Sequence, residues 1–137
     1  HASHRSIWGT LVHIYQSDCV WWNRLQGDGA VRAGAFEPGS SIEDLRERWM
    51  PVLDELVKWA ERLSDADWAQ DLEYLTSRGV AIRQPVWEVV LHVVNHATLH
   101  RGQILILFRQ LDRVPTGVDL ILYFREKSKA KADLAKP

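Results

Sequence analysis

His92, His96 and His100 recur four apart in the segment EVVLHVVNHATLHRGQI. On an α-helix, residues four apart share a face, one turn above the other. Imidazoles at that spacing can close on one divalent ion at metal–nitrogen distances of about 2.0–2.1 Å. Each further step of four drifts around the helix, so His92 and His100 point well apart. One i,i+4 pair is therefore the workable chelate. A third ligand has to come from another helix, and His13, in the middle of GTLVHIYQSD, is the candidate there; His1 and His4 stand at the start of the sequence. Spacing alone leaves a second reading open, in which these are ordinary surface or satisfied core histidines.

Two classes of metal enzyme are excluded. A zincin needs His-Glu-x-x-His, and Ala97 follows His96. A ferritin-like di-iron bundle needs Glu-x-x-His pairs, and the sequence has none. Cys19, the single cysteine, comes six residues after His13 and faces a different side of its helix. It reads as a small buried apolar residue rather than a ligand or nucleophile. One cysteine excludes an internal disulfide and fits a reducing cytoplasm.

The elements that must position these residues are helical. A first helix is expected from about Ile7 to Leu25, with Ser6 as its N-cap and the glycines at 27–29 ending it. Trp8, Leu11, Val12, Tyr15 and Cys19 recur along it with helical spacing. A Gly- and Ala-rich loop, QGDGAVRAGAFEPGS, leads to a second helix opened by Ser41 and Asp44 and running to about Leu63. Pro51 lies inside that helix and predicts a kink or a break into two. Between 68 and 84, WAQDLEYLTSRGVAIRQ holds two short alternating runs around Ser77-Arg78-Gly79, which predict a small hairpin. The histidine-bearing helix starts at Pro85 and runs to about Leu111; Val114-Pro115-Thr116-Gly117 breaks it, and a shorter helix follows from about Val118.

The whole chain, 137 residues with 46% apolar and 26% charged, fits one globular all-helical domain spanning 1–137. Seven tryptophans point to large aromatic plugs in its core. A net charge of −1 offers no basic field for nucleic acid. Lys127, Lys129, Lys131 and Lys136 cluster only at the C-terminal end and read as a solvated tail. No apolar stretch approaches the roughly 20 residues that span a bilayer, and HASHRSIWGT lacks a signal-peptide layout. The expected setting is cytoplasmic, with neither nucleic acid nor membrane as partner.

At these residues the chain resembles a known family. GTLVHIYQSDCVWWNRLQG, followed by LHVVNHATLHRGQILILFRQL and VPTGVDLILYFRE, is similar to the DinB/YfiT-like proteins from about Ser6 to Arg125. The block His-x-x-Asn-His-x-x-x-His-Arg-Gly-Gln is specific, more so with the upstream Gly-Thr-Leu-x-His. The resemblance implies an all-α four-helix bundle with a hairpin-like insertion near 70–84. It implies one divalent metal ion, zinc, nickel or iron, on His13, His96 and His100, with His92 a companion rather than a ligand. The family pattern begins with an extra helix before Gly-Thr-Leu-x-His, whereas twelve residues precede His13 here. The expectation is a fragment, or a bundle closed by the C-terminal helix or a second chain. A homodimer would cover the apolar strip so left.

Three histidines leave coordination positions open for water or substrate, as in catalytic sites. Some relatives are thiol S-transferases or isomerases that use bacterial thiols such as bacillithiol or mycothiol. The first expectation is thus an enzyme, transferase or hydrolase in type, whose metal activates a small thiol or water. Tyr15, Asp18 and His92 are the catalytic candidates, and Arg101 is the candidate for holding an anionic group. An exposed helix carboxylate is the alternative for Asp18, and a surface salt bridge for Arg101. Asn95 and Gln103 are candidate hydrogen-bond donors to the ligand imidazoles. The alternatives are a non-catalytic, metal-dependent binding or stress-response module, and a structural helical protein with incidental histidines.

Overall fold

Ser6 opens the first helix: its extended backbone (φ −152°, ψ 162°) is not helical, and its hydroxyl accepts the Gly9 N–H at 2.9 Å. The helix α1 then runs Ile7–Leu25. The computed structural model describes residue 4, residues 6–30 and residues 33–134. His1, Lys136 and the side chain of Lys131 lie outside the described part.

After a 3-10 turn at Ala33–Ala35 come α2 (Ile42–Ala60), α3 (Asp65–Ala69), β1 (Asp71–Leu75), β2 (Ala81–Pro85), α4 (Val86–Gln110) and α5 (Leu120–Leu134). The expected Ser41 cap forms, its hydroxyl accepting from Asp44 N–H at 3.0 Å. The Asp44 carboxylate in turn accepts from Ser40 N–H and O–H, each at 3.0 Å. Pro51 does not split α2, which continues as one helix through it and ends at Ala60.

The short α3 escaped the sequence reading although its signal is present. Ser64 and Asp67 cap each other reciprocally, the box pattern that the Ser-x-x-Asp spacing allows.

The hairpin forms where expected. β1 and β2 pair antiparallel with Asp71 opposite Pro85 and Leu75 opposite Ala81. Gly79, at φ 78°, makes the turn in a conformation that side chains disfavour. Arg24 ties this hairpin to α1. Its guanidinium lies 4.6 Å from the Trp21 ring and 4.9 Å from the Tyr74 ring, and Nη2 donates to Leu75 C=O at 2.7 Å.

The helix α1 is the hub, packing against α2, α4, the 3-10 turn and β1. Between α1 and α2 lies a core of Tyr15, Cys19 and Leu45, with Leu11, Phe36, Trp49 and Val52 against it. The tryptophans serve it less uniformly than expected. Trp22, Trp59 and Trp68 form an edge-to-face series joining α1, α2 and α3, at 6.1 and 6.2 Å. Trp8 and Trp87 are exposed. An indole is large enough that complete burial is uncommon even where it packs well. Lys127 and Lys129 are exposed on α5, as are Leu120, Ile121, Tyr123 and Phe124. Among the described residues, no helix is long and apolar enough to cross a membrane.

Candidate metal centre

Packing α1 against α4 brings His13 to the α4 histidines. His13 Nε2 and His96 Nε2 are 3.0 Å apart. The three ring centroids are 4.9 Å (His13–His96), 4.6 Å (His13–His100) and 4.4 Å (His96–His100) from one another. His100 is buried, and its Nδ1 lies 2.9 Å from Gln103 Oε1. A proton on Nδ1 donated to that carbonyl oxygen leaves Nε2 with its lone pair free, the tautomer a metal ligand needs. Gln103 thus lies against the His100 ring, but through its carbonyl oxygen and not as the donor expected.

His4 is the residue that spacing did not single out. Its ring stacks on His13 at 3.9 Å with 20° between the planes, and lies 5.5 Å from His100. One nitrogen from each of His4, His13 and His100 falls within 4.8 Å of the other two. This triplet and the triad of His13, His96 and His100 share two members. The signal for His4 is not periodic. A turn bond from Ser6 N–H to His4 C=O (2.8 Å) folds the chain back over α1. Gly9 makes room, since a Cβ there would meet the His4 carbonyl oxygen at 2.6 Å.

The cluster fits a divalent ion. Two nitrogens on one ion at about 2.0–2.1 Å stand about 2.9 Å apart at a right angle and about 3.4 Å at the tetrahedral angle. The His13–His96 separation of 3.0 Å lies in that span. Without an ion, the rings work against each other's protonation. Burial lowers His13 to about 4, helped by the neighbouring charges of His4, His100 and His96. Burial also lowers His96 to about 4, with His100, His92 and His4 adding to it. His4 is lowered by burial and then by His100. Neutral imidazole lone pairs facing one another are the donor set that a cation satisfies.

The other candidates fall in different places. His92 is exposed, its ring 5.2 Å from Trp21 and 5.6 Å from His96. Tyr15 and Asp18 are rotated about 200° and 140° from His13 around α1, at about 100° per residue. Their contacts run to α2 and the loop before it. Tyr15 O–H reaches Glu37 C=O at 3.4 Å, and Trp49 Nε1–H donates to Asp18 Oδ2 at 2.9 Å. Asp18 is only 3% exposed, so it is not the solvated helix carboxylate that its sequence position also allowed. Asn95 donates back to Leu91 C=O on its own helix. Arg101 donates to Thr98 Oγ1 at 2.9 Å and, with Arg113, lines a cavity of about 610 Å³ walled by Leu11, Ile104 and Phe108.

Comparison with known proteins agrees with the motif. Residues 1–132 match the DinB family, and the chain belongs to that family. It is similar to Protein DinB of Bacillus subtilis (strain 168), 25% identical over 134 residues, which covers 91% of this chain and 77% of that protein. No solved structure matches it.

Proposed function

We propose that this chain holds one divalent ion, zinc, nickel or iron, on His13, His96 and His100, and is an enzyme that acts on a small thiol or on water. The observation that carries the reading is the approach of His13 from α1 to within 3.0 Å of His96 on α4. When bound, such an ion lowers the pKa of a thiol or water in its open position and makes it a nucleophile at neutral pH. The protein's own part is positioning. Gln103 holds the His100 ring and selects its tautomer. Arg101 directly follows His100 and, with Arg113, lines an otherwise largely apolar cavity. Neither arginine is in an ion pair among the described residues. That combination suits a substrate with an apolar body and an anionic group, held by charge-assisted hydrogen bonds.

The test is S-transfer from a panel of low-molecular-weight thiols to electrophiles, with and without added zinc or nickel. A metal-dependent rate lost in His100→Ala supports the enzyme. No metal-dependent rate with any pair would move the reading to a binding module without turnover. In either case a second copy of the chain is proposed to cover the exposed apolar residues of α5.

A further inference from the structure

We propose that His4 is an additional nitrogen ligand of the ion held by His13, His96 and His100. The inference rests on the three-histidine reading above and adds a donor from outside both helices. Three observations converge on it. The His4 ring stacks on His13 at 3.9 Å, and its donor nitrogen lies within 4.8 Å of those of His13 and His100. Donors on one ion at about 2.0–2.1 Å stand about 3.4 Å apart at the tetrahedral angle, so a shift of up to about 1.4 Å brings the His4 nitrogen into the set. The backbone is built for this placement. The Ser6 N–H bond to His4 C=O fixes the turn, and Gly9 leaves open the space that a Cβ would take 2.6 Å from that carbonyl. Among the described residues, the nearby hydroxyls are engaged elsewhere: Ser6 Oγ accepts from the Gly9 N–H and Thr10 Oγ1 donates to the Ser6 carbonyl.

A fourth imidazole changes the chemistry of the site. It fills a position that three histidines leave open to solvent, on a segment that ends before α1 begins. A substrate would then enter by displacing His4 or by adding to a larger coordination sphere. His4 would thereby set how readily the site exchanges its ligand.

Cobalt(II) titrated into the metal-free full chain gives the test, through its visible ligand-field bands and its dissociation constant. Loss of a hydrogen-bond partner behind a ligand typically weakens metal binding 10–100-fold, and His4→Ala is expected to cost at least about tenfold. The bands of His4→Ala should also shift, and free imidazole should restore them, which loss of structure alone would not allow. Gly9→Ala, which retains the imidazole but closes its seat, should move the bands the same way. Unchanged bands and affinity in His4→Ala would overturn the fourth ligand while leaving the three-histidine site intact. No cobalt binding by the wild-type chain, or binding undiminished in His13→Ala, would overturn the three-histidine reading and this inference with it.

Discussion

Asp18 and Cys19 are neighbours in sequence, both are buried where α1 meets α2, and burial holds the proton on each of them. The Asp18 carboxyl is pushed from 3.8 up to about 6, chiefly by burial, against the opposing Trp49 hydrogen bond and Arg101 charge. A carboxyl raised in this way binds its proton more tightly in the folded chain than in the unfolded one. Its contribution is therefore fully present below about pH 4 and lost as the pH rises through about 6. At about 1.4 kcal/mol per unit, the loss is about 3 kcal/mol. Asp18→Asn keeps an oxygen acceptor for Trp49 and removes that loss. Urea unfolding from pH 4 to pH 7 should show the variant gaining on wild type by up to about 3 kcal/mol as the pH rises. A constant difference across that range would contradict the assignment. The Cys19 thiol is pushed up to about 11, mainly by burial. It should therefore resist a colorimetric disulfide reagent in the native chain at pH 8 and react at once in urea. Prompt native-state reaction would place Cys19 in a different environment.

Arg24 makes the case at the scale of elements, because one side chain joins α1 to the hairpin. Arg24→Ala removes a charge-assisted hydrogen bond to Leu75 C=O and the guanidinium's contacts with the Trp21 and Tyr74 rings. The expected cost is about 2–4 kcal/mol. Amide exchange should quicken first in 71–85; uniform acceleration along the chain would deny the hairpin its separate anchor. The arginine itself was not legible as a buried residue, since its partner carbonyl belongs to a segment 51 positions away. What was legible is what repeats or caps locally. The α4 histidines are periodic, Ser6 and Ser41 are caps, and the alternation around Gly79 marks the hairpin. Of the two outcomes Pro51 allowed, the break into two helices does not occur, because one missing N–H need not stop a helix held by its apolar face. His4 was passed over for a different reason. Its approach depends on a turn and on the empty space at Gly9, neither of which has a period.

For the molecule as a whole, α5 carries Leu120, Ile121, Tyr123 and Phe124 exposed, and α4 carries Leu99 and Ile106 exposed. Apolar surface of this kind is commonly covered by association. The proposed homodimer predicts a sedimentation mass near twice 15.8 kDa. The double substitution Ile121→Glu and Phe124→Glu should return it to a single chain without loss of helicity. A wild-type chain that sediments as a monomer at micromolar concentration would leave that face to another role.

The interhelical histidine site is tested most directly by metal content. Elemental mass spectrometry of the purified chain, after incubation with zinc or nickel and removal of excess, should find about one equivalent per chain. His13→Ala and His96→Ala should each lose it, since the ligands come from α1 and α4 together. An equivalent retained in both variants, or no metal in the wild-type chain, would contradict the account.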